Sequence, residues 1–192
     1  MKRVVCATAN PHKVAEIAEI CKDTVEILPR PTTLGDIDET GDTLEENACI
    51  KARAVAAHSG HVALADDTGL EIDALQGEPG VRSARFAGDD ADDAANRALV
   101  LARLEGVVQR EACFRTVIAI ATVDGNCHIV EGQCCGTIAS EERGTHGFGY
   151  DSIFIPNDGD GRTFAEMTSE EKNKISHRAR ALLALRDVDF NS

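Results

Sequence analysis

Short apolar runs alternate with stretches of helical period through the first third of the chain, and a long pair of β-rich runs follows later. This pattern constrains the fold more than any single motif. KRVVCA at 2–7 is an apolar run stopped by Thr8-Ala9-Asn10-Pro11, the signature of a buried first strand and its turn. KVAEIAEIC at 13–21 then places Val14, Ile17, Ala18 and Cys21 on one helical face. VEIL at 25–28 is predicted as a second strand ended by Pro29 and Pro31. A helix is predicted over 43–58, with Thr43 and Glu46 at capping-box spacing, and VALA at 62–65 as a third strand. Residues 91–105 have a helical pattern. The span 112–138 holds two β-rich runs joined by Asp124-Gly125-Asn126, a hairpin signal. A glycine-rich loop at 144–149, a short strand at 152–155 and a helix over about 168–186 complete the chain, the last with Thr168 and Glu171 as a second capping box. The expected fold is α/β, with a mixed twisted sheet, flanking helices and two lobes around a central cleft. One domain over 1–192 fits this length.

Charge narrows the partners. The 192 residues carry 20 Lys and Arg against 33 Asp and Glu, a formal net charge of −13. An acidic surface argues against a nucleic-acid partner, which selects basic ones. With six Phe, one Tyr and no Trp, a stacking platform for single strands is not expected either. Seven cysteines, an odd number with no C-x-x-C, suggest neither a disulfide framework nor a zinc knuckle, and imply a reduced cytoplasm. Lys2-Arg3 mimics the start of a signal peptide, but Asn10-Pro11 ends the apolar stretch after about six residues. Nothing approaches the roughly 20 apolar residues that span a bilayer. A soluble, untargeted protein with no membrane partner is expected.

Five segments carry candidate chemistry. Thr8-Ala9-Asn10-Pro11-His12-Lys13, between a strand and a helix, can cradle phosphate with backbone N–H groups, a hydroxyl and an ammonium. The plainer reading is a turn with a solvated Lys13. Asp66-Asp67-Thr68-Gly69 follows VALA, where carboxylates at a strand end suit a divalent metal. The plainer reading there is a polar turn with Gly69 left-handed. Adjacent residues of a strand face opposite ways, so one Asp is the ligand or base and the other a supporting partner. The acidic segment 36–46 is mostly solvated loop and helix start, with one or two acids available to a magnesium shell; 89–93 is assigned to a solvated or capping role. The segment 162–186 holds six Lys and Arg, Arg186 among them, against three Glu, a local +3. Within it Lys172 and His177 lie about 140° apart on an ideal helix, so both meet one ligand only if the helix is irregular there. Finally, the glycines of Gly144–Gly149 allow close approach to a ligand, and Phe148 or Tyr150 offers a ring face.

In order and together, TANPHK (8–13), ETGDTLEENACIKA (39–52), ALADDTGLEIDAL (63–75), GEPGVRSARFAG (77–88), GFGYDSIF (147–154) and EMTSEEKNKISHRARAL (166–182) resemble the inosine triphosphate pyrophosphatase family, also called dITP/XTP pyrophosphatases. The likeness runs over essentially the whole chain. It implies a nucleotide-binding cleft and Mg²⁺-dependent hydrolysis of deaminated purine nucleoside triphosphates (ITP, dITP, XTP) to monophosphate and pyrophosphate, by a cytoplasmic homodimer. It implies Asp67 as general base and metal-linked residue, completed at the metal by Asp38 or Glu39, which the sequence does not separate. It implies Thr8, Ala9, Asn10, Pro11, His12 and Lys13 as the phosphate loop, and Thr68 as a hydroxyl where Ser is common. It also implies Phe148, Gly149, Tyr150 and Asp151 as the base loop, and Lys172, His177 and Arg178 near purine and phosphates. His146 and Ser152 depart from the pattern, standing where Gly and Pro are common. Alternatives are a Maf-like pyrophosphatase for other nucleotides and a catalytically silent nucleotide sensor.

Overall fold

The computed structural model describes residues 2–185. These form β1 (Lys2–Cys6), α1 (Pro11–Cys21), β2 (Val25–Leu28), α2 (Leu44–Ser59), β3 (Ala63–Ile72), β4 (Pro79–Gly80), α3 (Asp93–Arg103), β5 (Glu111–Ala121), β6 (Cys127–Ile138), β7 (Phe154–Pro156), α4 (Ser169–Ile175) and α5 (His177–Ala184), with 3₁₀ turns between some of them. The hydrogen-bonded strand order is β2-β1-β3-β5-β6-β7, with β4 on β3. β1 runs parallel to β2 and β3, whereas β4 on β3 and β7 on β6 are antiparallel. The fold is therefore the mixed α/β class expected.

The chain divides into two compact units. Among the described residues the first comprises 2–67, 116–132 and 178–185. Its core gathers Val4 and Cys6 of β1, Ile17 and Cys21 of α1, Leu64 of β3, Ile118 and Ile120 of β5, and Ala181, Leu182 and Leu185 from the C-terminal end. Of the four α1 positions that the helical period singles out, Ile17 and Cys21 are buried in this core and Val14 packs partly buried against it. The second comprises 68–115 and 133–177, with a core of Leu70, Ile72, Val100, Leu104 and an aromatic group of Phe114, Tyr150, Phe154 and Phe164.

Four expectations are corrected. Asp66-Asp67-Thr68-Gly69 is not a turn: β3 runs straight through it to Ile72. Gly69 is there for space, because a Cβ would lie 2.7 Å from the Gly80 carbonyl oxygen of β4. The C-terminal helix is two helices, broken at Ser176, whose extended backbone (φ −69°, ψ 156°) closes α4 in the conformation from which a new helix starts; Arg186 lies outside the described residues. The strand expected at 152–155 begins as a 3₁₀ turn over Asp151–Ile153 before β7. Lastly, cysteines are paired. Cys113 and Cys135, on the neighbouring strands β5 and β6, form a disulfide with Cα atoms 4.0 Å apart, and Cys49 of α2 bonds Cys127 of β6. Cys6, Cys21 and Cys134 lie outside these disulfides and are buried as packing. No helix among the described residues is long and apolar enough to cross a membrane.

Candidate active site

In the first unit, β1 ends at Cys6 and Asn10 caps α1, its side-chain oxygen accepting the N–H groups of His12 and Lys13. Pro11 occupies the first helical position, where its missing N–H costs nothing. Thr8 is buried and its hydroxyl accepts the Asn10 N–H. Lys13 is more than a solvated helix-start residue: it is partly buried and its ammonium lies 3.0 Å from Asp66 Oδ2. The same oxygen takes the Arg178 guanidinium at 3.0 Å, and Arg178 also meets Glu16 of α1. Asp66 is fully buried. Burial pushes its carboxyl up, but Lys13, Arg178 and Lys51 outweigh that and hold it well below the usual carboxylate range. Burial likewise disfavours the Arg178 charge, and Asp66 and Glu16 more than restore it.

The alternation of β3 sends Asp67 elsewhere. Its Oδ1 lies 3.0 Å from the Lys51 ammonium, which also reaches Glu39 Oε1 at 3.3 Å. Burial dominates the Asp67 carboxyl and raises its pKa, against the pull of Lys51 and Lys13 and with a further push from Glu39. Lys51 is buried too, yet Asp67, Asp66 and Glu39 together raise its pKa. Lys51 is the residue that sequence reasoning passed over. The signal was present: Leu44, Asn47, Ala48, Lys51, Ala52 and Val55 fall on the buried face of α2, and a lysine on such a face needs a carboxylate partner. Asn47, on the same face, accepts the Gly41 N–H at 2.8 Å, and Glu46 takes the Asp42 N–H, so the capping-box acid reaches one residue earlier than expected. These bonds fasten the loop that carries Glu39. Asp38 is exposed. A cavity of about 540 Å³ borders this loop at Thr40–Asp42, but neither Asp67 nor Lys51 lines it.

Two carboxylates converging on one cation form a donor set that suits a hard divalent ion, since Mg²⁺ is commonly held by one or two carboxylates plus substrate phosphates and water. Among the described residues no group of three or more His, Cys, Asp or Glu forms a metal cage.

In the second unit, the loop Gly147–Asp151 folds around its own acid. Asp151 Oδ2 accepts the Phe148 N–H at 3.0 Å and the Lys172 ammonium at 2.6 Å. Gly147 has φ +74°, and a Cβ there would collide with that carboxylate, so glycine is required. Lys172 is buried, 4.9 Å from the Phe148 ring centre and 5.5 Å from that of Phe164. Tyr150 is a core residue whose hydroxyl donates to the Ser83 carbonyl at 2.7 Å; burial, with Asp93 adding, pushes its pKa up. The partly buried Phe148 is thus the loop ring with a face to offer. His177 is buried and stacks on Phe114 at 4.5 Å. The helix break at Ser176 falls between Lys172 and His177, the irregularity required for both to meet one ligand.

The chain matches the Ham1 family over residues 4–188. It is 50% identical over 190 residues to a dITP/XTP pyrophosphatase of Porphyromonas gingivalis, covering 97% of each chain, and 50% identical to one of Bacillus subtilis, covering 96% of each. Among solved structures it resembles a HAM1 protein from Coxiella burnetii (44% identity, TM-score 0.86, 96% of each chain). It also resembles a nucleoside-triphosphatase / dITP/XTP pyrophosphatase from Mycobacterium abscessus (44% identity, TM-score 0.76, 97% of this chain and all of that one). With the sequence matched from the first strand to beyond the last described helix, the chain belongs to the Ham1 family.

Proposed function

We propose that the chain hydrolyses ITP, dITP and XTP to the monophosphate and pyrophosphate, acting as one domain and as a homodimer in the cytoplasm. The observation that carries this reading is the buried Asp67, raised in pKa and held by Lys51 beside Glu39. A carboxylate so placed takes a proton from water as its oxygen attacks the α-phosphorus. The bridging oxygen between the α- and β-phosphorus leaves with pyrophosphate. Glu39 and Asp67 are the residues to hold Mg²⁺, with Asp38 left to solvent, and the ion when bound neutralises charge on the triphosphate. Thr8 to Lys13 serve the phosphates. Asp66 and Arg178 hold Lys13 and α1 in place, which moves Arg178 from direct contact to support. Thr68 supplies a hydroxyl to the substrate.

The second unit's loop, 147–151, serves the purine. Phe148 offers a ring face, and Lys172 and His177 offer donors to O6 of a 6-oxo purine. Adenine presents an amine there and offers those donors no acceptor. In a reducing cytoplasm the two cysteine pairs stand as dithiols and close on oxidation. A panel of ITP, XTP, GTP, dTTP and UTP, with pyrophosphate detection with and without Mg²⁺, tests the proposal. Turnover of ITP and XTP with Mg²⁺ and little without supports it. A preference for pyrimidine or common purine triphosphates moves it to the Maf-like reading, and absence of turnover to the sensor.

A further inference from the structure

The base loop is held from two sides. On one side stand Asp151 and Lys172, already described; the other side belongs to α3. Asp93 and Arg97 lie one turn apart on that helix, hence on one face. Asp93 Oδ2 accepts the Gly149 N–H at 2.8 Å, and Arg97 Nη1 donates to the Gly149 carbonyl at 2.9 Å. Both polar groups of a single residue are therefore taken by one helix face. Gly149 sits at φ +59°, where a side chain would strain the backbone, so the loop contributes a bare peptide to this grip. The guanidinium is itself fixed: Arg97 Nε donates to Glu142 Oε2 at 2.8 Å, and the Ser152 hydroxyl donates to the same oxygen at 2.9 Å. Ser152, where proline is common in the family the chain resembles, thus adds a bond that proline could not make. Phe148 lies between the two grips, its own N–H on Asp151 and its neighbour's peptide on α3. The run 89–93, read from sequence as solvated or capping, caps α3 through Asp92 but holds the loop through Asp93.

We propose that Asp93 and Arg97, braced by Glu142 and Ser152, are positioning residues that set Phe148 for the purine and so govern base affinity. This rests on the reading of 147–151 as the base loop. Neither residue is assigned a part in the chemistry, so the effect falls on KM and not on kcat.

Tyr150 is the sole tyrosine in a chain without tryptophan, so its emission reports on this loop alone. In Arg97→Ala, KM for ITP is expected to rise about tenfold, as for loss of one charge-assisted hydrogen bond, with kcat within about twofold. Acrylamide quenching of Tyr150 should increase. Asp93→Ala should act in the same direction, and Arg97→Lys, which reaches one acceptor instead of two, should fall between. If the alanine variants do not fold, Arg97→Lys and Asp93→Asn decide by the same two readouts. Unchanged KM and unchanged quenching in folded variants would overturn the proposal, as would a loss confined to kcat. Phe148→Ala separates it from its premise. If that variant keeps the parental KM, the base-loop reading fails, whereas a raised KM there beside an unaffected Arg97→Ala rejects the clamp alone.

Discussion

At the scale of residues, the Asp66–Asp67 pair divides its labour by strand geometry. Asp66 is enclosed by Lys13 and Arg178 and stays ionised; Asp67 is balanced between burial and Lys51. Asp67→Asn keeps the shape and loses the base, so ITP turnover should fall about 10²–10⁴-fold while equilibrium dialysis still detects ITP binding. Near-parental turnover would remove Asp67 from the mechanism. Arg178→Met removes a buried cation from Asp66, which keeps Lys13, and from Glu16, and should cost about 3 kcal/mol in urea unfolding. A loss under about 1 kcal/mol, the range of exposed pairs, would deny it the supporting role. Asp67, Lys13 and Lys172 were singled out through the family resemblance, and each has a charged partner in the structure. Lys51 and Glu16 were not, because their partners are supplied by other elements, and a motif read along the chain does not register a charge that pairs across it.

Among elements, local signals served well where one period or one cap decides. VEIL, the hairpin turn at Asp124–Asn126 and the Thr168 cap of α4 are as the sequence predicts. They failed where tertiary packing overrides them. β3 carries two carboxylates through its interior since cations from other elements satisfy them, and Gly69 belongs to the strand since β4 crosses too close for a side chain. Gly69→Ala should therefore destabilise by about 1–3 kcal/mol, read by thermal and urea unfolding, and a neutral result would mean that β4 moves away freely. At the start of α4, bonds from Arg162 and from Thr168 lower the Glu171 pKa from 4.5 to about 2. A depressed carboxylate stabilises above its unfolded value and loses this as pH falls towards its folded one. The Tm advantage of the parent over Glu171→Gln should be full above about pH 5 and shrink between pH 4.5 and 2. An advantage independent of pH would rule out the ionic part of the cap.

For the whole molecule, composition set bounds that the fold then filled in. The charge of −13 argues against an extended polyanion, yet cations are concentrated where Lys13, Lys51, Lys172 and Arg178 meet buried acids, and a small metal-bound triphosphate suits such places. Cysteine counting misled, because the pairs are made by strand neighbours and by residues 78 positions apart. Oxidised protein should accordingly give three titratable thiols after denaturation and seven after reduction. Seven in both would show that the pairs do not close. The central claim, attack of water at the α-phosphorus, is tested most directly by ³¹P NMR of ITP turned over in ¹⁸O-labelled water with Mg²⁺. The account predicts IMP carrying the label and unlabelled pyrophosphate in equal amount; IDP with labelled inorganic phosphate, or label in pyrophosphate, would contradict it.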